Sequence, residues 1–167
     1  MIENITETEY GMEGTTYCKL FDKQLRVWIA DGADLEYGLF CVEALNLLND
    51  KLIDEICQAA IAYCEDFCDD VGQEPPKIEK TSDILNYIDP TGLIIDKPKD
   101  RHKPVIHLEG NCDWELEHGI EIIIRGSQYY YISPPLMVWE LGMNLRHIKT
   151  PIIMPIRSFK QTFRSCI

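Results

Sequence analysis

Between Lys51 and Val71, apolar residues recur at three- and four-residue steps: Leu52, Ile53, Ile56, Ala60, Tyr63, Phe67 and Val71. That spacing draws one continuous stripe along a long helix, and the stripe has to be covered by another layer. Asp50 stands where an N-cap would, and Asp54 and Glu55 suit the positive end of the helix dipole. Glu65, Asp66, Asp69 and Asp70 crowd the other end, against the dipole. Any fold for this chain must therefore bury one face of a long helix and tolerate concentrated negative charge at its C-terminal end.

The rest of the sequence offers strands for that layer. Thr15 to Ala30 alternates and reads as a hairpin, with Asp22-Lys23 as its two-residue connection. Residues 1–13 read as a frayed or edge segment, and Phe40 to Leu48 is apolar at helical spacing. Thr81-Ser82-Asp83 can cap a short helix through Tyr87, and Asp89-Pro90-Thr91-Gly92 reads as a turn before a short strand, Leu93 to Ile95. Val105 to Leu108 and Ile120 to Arg125 are strand-like, and Gly126-Ser127 turns the chain into Gln128 to Ser133. A short helix over 138–145 and a strand over 151–156 complete the pattern. This order predicts an α+β fold in one domain, residues 1–167: a mainly antiparallel sheet built from hairpins, with one long amphipathic helix packed on a face.

Charge narrows the functional classes. The net charge is −12, and it is uneven: residues 1–100 hold 22 acids and 8 bases, residues 101–167 hold 6 acids and 8 bases. No acid follows Glu140, whereas Arg146, Lys149, Arg157, Lys160 and Arg164 do. Phosphates would meet a repulsive surface on the N-terminal part, so nucleic-acid binding is disfavoured. The charge is compatible with a basic protein partner, and by itself it fits best a solvated acidic surface that keeps the chain soluble. No apolar run is long enough for a membrane span, and the acidic start lacks a signal peptide's basic and apolar regions, so a cytoplasmic location is expected. The seven cysteines include no C-x-x-C pair and read as small buried hydrophobes in a reducing compartment.

The densest chemistry lies in Asn111-Cys112-Asp113-Trp114-Glu115-Leu116-Glu117-His118-Gly119-Ile120. Strand alternation places His118 with Ile120, Ile122 and Ile124 at the head of an apolar face. In that reading Glu117 or Asp113 accepts from the imidazole or from a backbone amide, and Gly119 permits a close approach by another element. Cys112, Asp113, Glu117, His118, His102 and His107 are metal-ligand types, but their spacing matches no established set, so neither a metal nor a cofactor is expected. Glu115 and Glu117 would share a face and could pair for acid–base work. G-x-S-x-G, Walker-type and G-x-G-x-x-G motifs are absent from the sequence.

The run Cys112-Asp113-Trp114 … Glu117-His118-Gly119-Ile120-Glu121-Ile122 resembles a bacterial domain family of unknown function. Its members carry a C-x-W-x-x-E-H-G signature at a strand start, followed by a hairpin. The upstream layout is also similar, in the hairpin from Tyr17 to Ile29, the Asn46 to Asn49 segment and the helix from Lys51 to Tyr63. The likeness spans roughly residues 15–132 and leaves 134–167 as a C-terminal extension. Some members resemble toxin-immunity proteins, which implies a non-enzymatic protein that binds and neutralises a cognate toxin through an acidic surface. Asp66, Asp69, Asp70 and Glu74 are then the candidate partner-binding residues, and Trp114, Glu117, His118 and Gly119 form a structural motif. Two alternatives stay open: a small hydrolase or metal-dependent enzyme centred on Asp113, Glu117 and His118, and an interaction or structural module.

Overall fold

The computed structural model describes residues 1–126, 128–133 and 152–153. Eight strands make one sheet in chain order: β1 (Glu3–Thr8), β2 (Gly11–Cys18), β3 (Lys23–Ala30), β4 (Ile88–Ile95), β5 (Val105–Cys112), β6 (Glu115–Arg125), β7 (Gln128–Ser133) and β8 (Ile152–Ile153). β3 pairs with β4, and β7 with β8, in parallel, and the other pairings are antiparallel. A tight turn cannot join parallel neighbours. The chain between β3 and β4 accordingly carries α1 (Leu35–Asn46), α2 (Asp50–Val71) and a 3₁₀ turn (Thr81–Tyr87). The fold is α+β with a mostly antiparallel mixed sheet; the long helix shares its layer with α1, and the sheet is not made of hairpins alone.

The expected stripe is the buried face of α2: Leu52, Ile56, Ala60 and Tyr63 enter the core with Cys57, Cys64 and Cys68. Opposite them stand Leu25, Val27 and Ile29 of β3, Leu93 and Ile95 of β4, Ile106 and Leu108 of β5, and Ile120, Ile122 and Ile124 of β6. Each such aliphatic side chain contributes roughly 1.5–3 kcal/mol when fully buried. The six cysteines among the described residues are free and buried. Burial pushes the thiols of Cys57 and Cys112 up to about 11 and about 12, so both stay protonated and act as small apolar groups.

Local differences from the sequence reading have physical causes. The cap of α2 is Asn49, not Asp50: its backbone is extended and its side chain accepts the Leu52 N–H at 2.9 Å. Residues 1–13 supply a genuine edge strand, β1, paired with β2. The β2–β3 connection runs from Lys19 to Asp22 rather than through Asp22-Lys23, and Asp22 takes a left-handed φ of 50°. Helix α1 fixes it: the Asn46 side chain accepts from the Lys19 N–H at 2.8 Å and donates to the Tyr17 carbonyl at 2.9 Å. Asp89 to Gly92 is not a turn but part of β4, where the register with β5 slips between Pro90 and Gly92. A bulge absorbs the proline there. The helix expected over 138–145 and the assignment of 134–167 as an extension fall outside the described residues; of the strand expected over 151–156, Ile152–Ile153 is described as β8.

Replacing Asn46 with alanine removes both bonds that tie the β2–β3 turn to α1 and should lower stability by about 1–2 kcal/mol in urea unfolding. An unchanged midpoint would show that the turn holds itself.

Candidate functional site

The Cys112–Gly119 segment is a corner that clasps α2. Trp114 is buried and packs edge-on against Tyr63, with ring centroids 5.8 Å apart. The Tyr63 hydroxyl donates to the Gly119 carbonyl at 3.2 Å. Gly119 has φ of 74°, and a Cβ there would lie 2.2 Å from the Gly110 carbonyl oxygen, so the expected close approach is real. The same left-handed residue overturns the strand arithmetic applied to His118. It resets the alternation, so that Gly119 and Ile120 are buried while His118 is exposed. His118 is not a core histidine.

The carboxylate that organises the corner is Glu115, which the sequence reading considered only as an acid–base partner of Glu117. It is buried, and its Oε1 accepts the Glu117 N–H at 3.0 Å and the His118 N–H at 3.2 Å, with His118 Nδ1 3.4 Å away. Asp113, Glu117 and His118 are all exposed, and Asp113 uses its backbone N–H on the Tyr87 carbonyl. No group of three or more His, Cys, Asp or Glu among the described residues could hold a metal ion.

The candidate partner-binding carboxylates gather at the C-terminal end of α2. Asp66, Asp69 and Asp70 fall within one turn of each other, and Glu74 follows the Gly72 cap. Asp69 and Glu74 are exposed, Asp66 and Asp70 half-buried, and the last turn holds no basic residue. At the same end of α2 lies a cavity of about 290 Å³ with a mixed lining, in which Ile61, Pro75, Ile78 and Ile84 stand with Glu65, Glu79 and Thr81. No local sequence pattern marks that cavity, since its walls come from α2, the following loop and the 3₁₀ turn.

A second polar group lies on β5 and β6, at positions alternating with the core residues. His107 and Glu121 are buried, and His107 Nε2 is 2.5 Å from Glu121 Oε1, while Nδ1 is 3.9 Å from the Asp96 carboxylate. Burial alone would push the imidazole down. The carboxylates of Asp96 and Glu121 outweigh it and hold His107 at about 9, charged at neutral pH. On the same face β2 to β5 form a groove of about 670 Å³, lined in part by Arg26, Trp28, Ile94 and Glu109.

A family model described as Domain of unknown function (DUF6985) matches residues 1–135. No curated protein and no solved structure matches the chain.

Gly119→Ala forces a side chain into left-handed backbone and into a carbonyl, and should cost about 2 kcal/mol or more in denaturant unfolding. The His107 pair has a pH signature. Its folded pKa lies above the unfolded value near 6.5, so its stabilisation is complete below about pH 6.5 and fades as pH rises through about 9. Urea unfolding across that window should show a loss larger in the native chain than in His107→Gln; parallel curves would contradict it.

Proposed function

The chain belongs to the DUF6985 family, and for this member we propose a non-enzymatic role of the toxin-immunity type: capture of a basic protein toxin by the acidic end of α2. The observation that carries the reading is the cavity beside that end. Apolar walls from Ile61, Ile78 and Ile84 together with the carboxylates of Glu65 and Glu79 suit a lysine or arginine, whose hydrocarbon stem buries while its cationic head stays at a polar rim. Asp66, Asp69, Asp70 and Glu74 add negative charge at the same end of α2, and the negative end of the helix dipole adds to their field.

Charge over the whole described body supports the same partner. Residues 1–126 hold 27 acids and 11 bases, a balance of −16. Such a field speeds the encounter with a cationic surface, such as the active-site face of a nuclease, and selects against acidic competitors. Sequestration needs no reacting group on this chain, only a surface that reaches and blocks the toxin's own site.

The test measures binding of this chain to the products of the genes adjacent to its own, a toxin among them being the expected ligand. Joint neutralisation by Asp66→Asn, Asp69→Asn, Asp70→Asn and Glu74→Gln should slow association about tenfold or more and flatten its salt dependence. Glu65→Gln with Glu79→Gln should instead raise the dissociation rate. Unchanged binding in both variants would remove this surface as the interface, and toxin activity unaffected by the native chain would remove the immunity reading itself.

A further inference from the structure

The groove on the other face of the sheet has a different chemistry. Across the strands, Trp28 lies beside Glu13 of β2 and Ile94 of β4, and one row away Arg26 lies beside Thr15 of β2 and Gly92 of β4. Gly92 in turn pairs with Glu109 of β5. The floor between Arg26 and Glu109 therefore has no side chain. A Cβ on Gly92 would meet Glu109 Oε1 at 3.4 Å, so the carboxylate is laid over the glycine, on the side of Arg26. Among the described residues neither Arg26 nor Glu109 forms an ion pair, whereas Lys23 at the end of the groove is paired with Asp89. Trp28 is 44% exposed, and Ile94 beside it is half-buried.

We propose that this groove binds a free amino acid with an apolar or aromatic side chain, as its zwitterion. The Arg26 guanidinium takes the carboxylate through a forked pair of N–H bonds, and Glu109 takes the ammonium over the Gly92 notch. Trp28 and Ile94, one row along, receive the side chain. The charges select this class. A simple anion would face Glu109 and Glu13, a simple cation would face Arg26, and an internal peptide segment carries neither terminal charge. The volume of about 670 Å³ lies within the range of small-molecule sites. This site is independent of the toxin-binding reading, because the groove lies on strands β2 to β5 and the acidic surface on α2.

The experiment is an NMR titration of the full chain with L-phenylalanine, N-acetyl-L-phenylalanine and L-phenylalaninamide. Phenylalanine at millimolar concentration should shift the Trp28 indole N–H and the Gly92 and Ile94 amides. The acetylated and amidated forms, each lacking one charge, should bind about tenfold more weakly or worse. Arg26→Gln and Glu109→Gln should each weaken phenylalanine to a similar degree, and Gly92→Val should block it. Unchanged core amides of Ile122 and Ile124 verify that each variant is folded. Absence of shifts with phenylalanine in the native chain overturns the proposal, as does equal binding of the three compounds, which would mark the groove as a site for apolar side chains only.

Discussion

Inside the apolar layer the long helix makes a polar contact with the sheet, the hydroxyl of Tyr63 on the carbonyl of Gly119. That carbonyl belongs to the residue where β6 passes through left-handed backbone, hard against the Gly110 carbonyl of β5. The facing of every later residue in β6 follows from this point. Ile120, Ile122 and Ile124 reach the core because Gly119 resets the alternation, and Glu121 is thereby sent to the opposite face, where it meets His107. Trp114 against Tyr63 and Glu115 beneath the Glu117 and His118 amides hold the corner from its two sides. Of the signature residues, Trp114 and Gly119 are built into this corner, whereas Glu117 and His118 keep their side chains exposed.

The two faces of the sheet divide the labour. One is hydrocarbon, closed by α1 and α2. The other carries a buried charged pair on β5 and β6 and, on β2 to β5, an open groove with charges of both signs. Burying His107 with Glu121 is costly unless each neutralises the other, and the short contact between them meets that condition. Negative charge elsewhere is concentrated at the end of α2, remote from the groove in the fold's layering. The concentrated negative charge and the groove of mixed charge thus lie on separate surfaces of the described fold.

Much of the architecture was legible in the chain, and each failure has a physical cause. Helix α2 was readable because its stripe persists through residues 51–71, and the β6–β7 hairpin because Gly126-Ser127 separates two strand-like runs. Asp89-Pro90-Thr91-Gly92 misled because proline and glycine mark turns and bulges alike, and only pairing with β5 distinguishes them. Strand arithmetic puts His118 on the wrong face because it assumes an unbroken period of two, which Gly119 violates. His107 with Glu121, and Arg26 with Glu109, were out of reach for a different reason: each pair depends on register between strands, which no local pattern states. The acidic helix end was visible in sequence, but the cavity beside it needed the return of residues 75–84 against α2.

The parallel pairing of β3 with β4 has a consequence for how the molecule forms. Everything from Asp31 to Tyr87 lies between those two strands, whereas β1–β2, β2–β3, β5–β6 and β6–β7 are joined by short connections. Closing the longer loop costs more chain entropy than closing a hairpin, and its ladder returns nothing until both helices have a sheet to rest on. The sheet is thus two locally assembled halves, β1 to β3 and β4 to β7, joined at a seam of long sequence separation. The Arg26–Gly92 step of the groove lies across that seam, so the groove exists only once the two halves have paired.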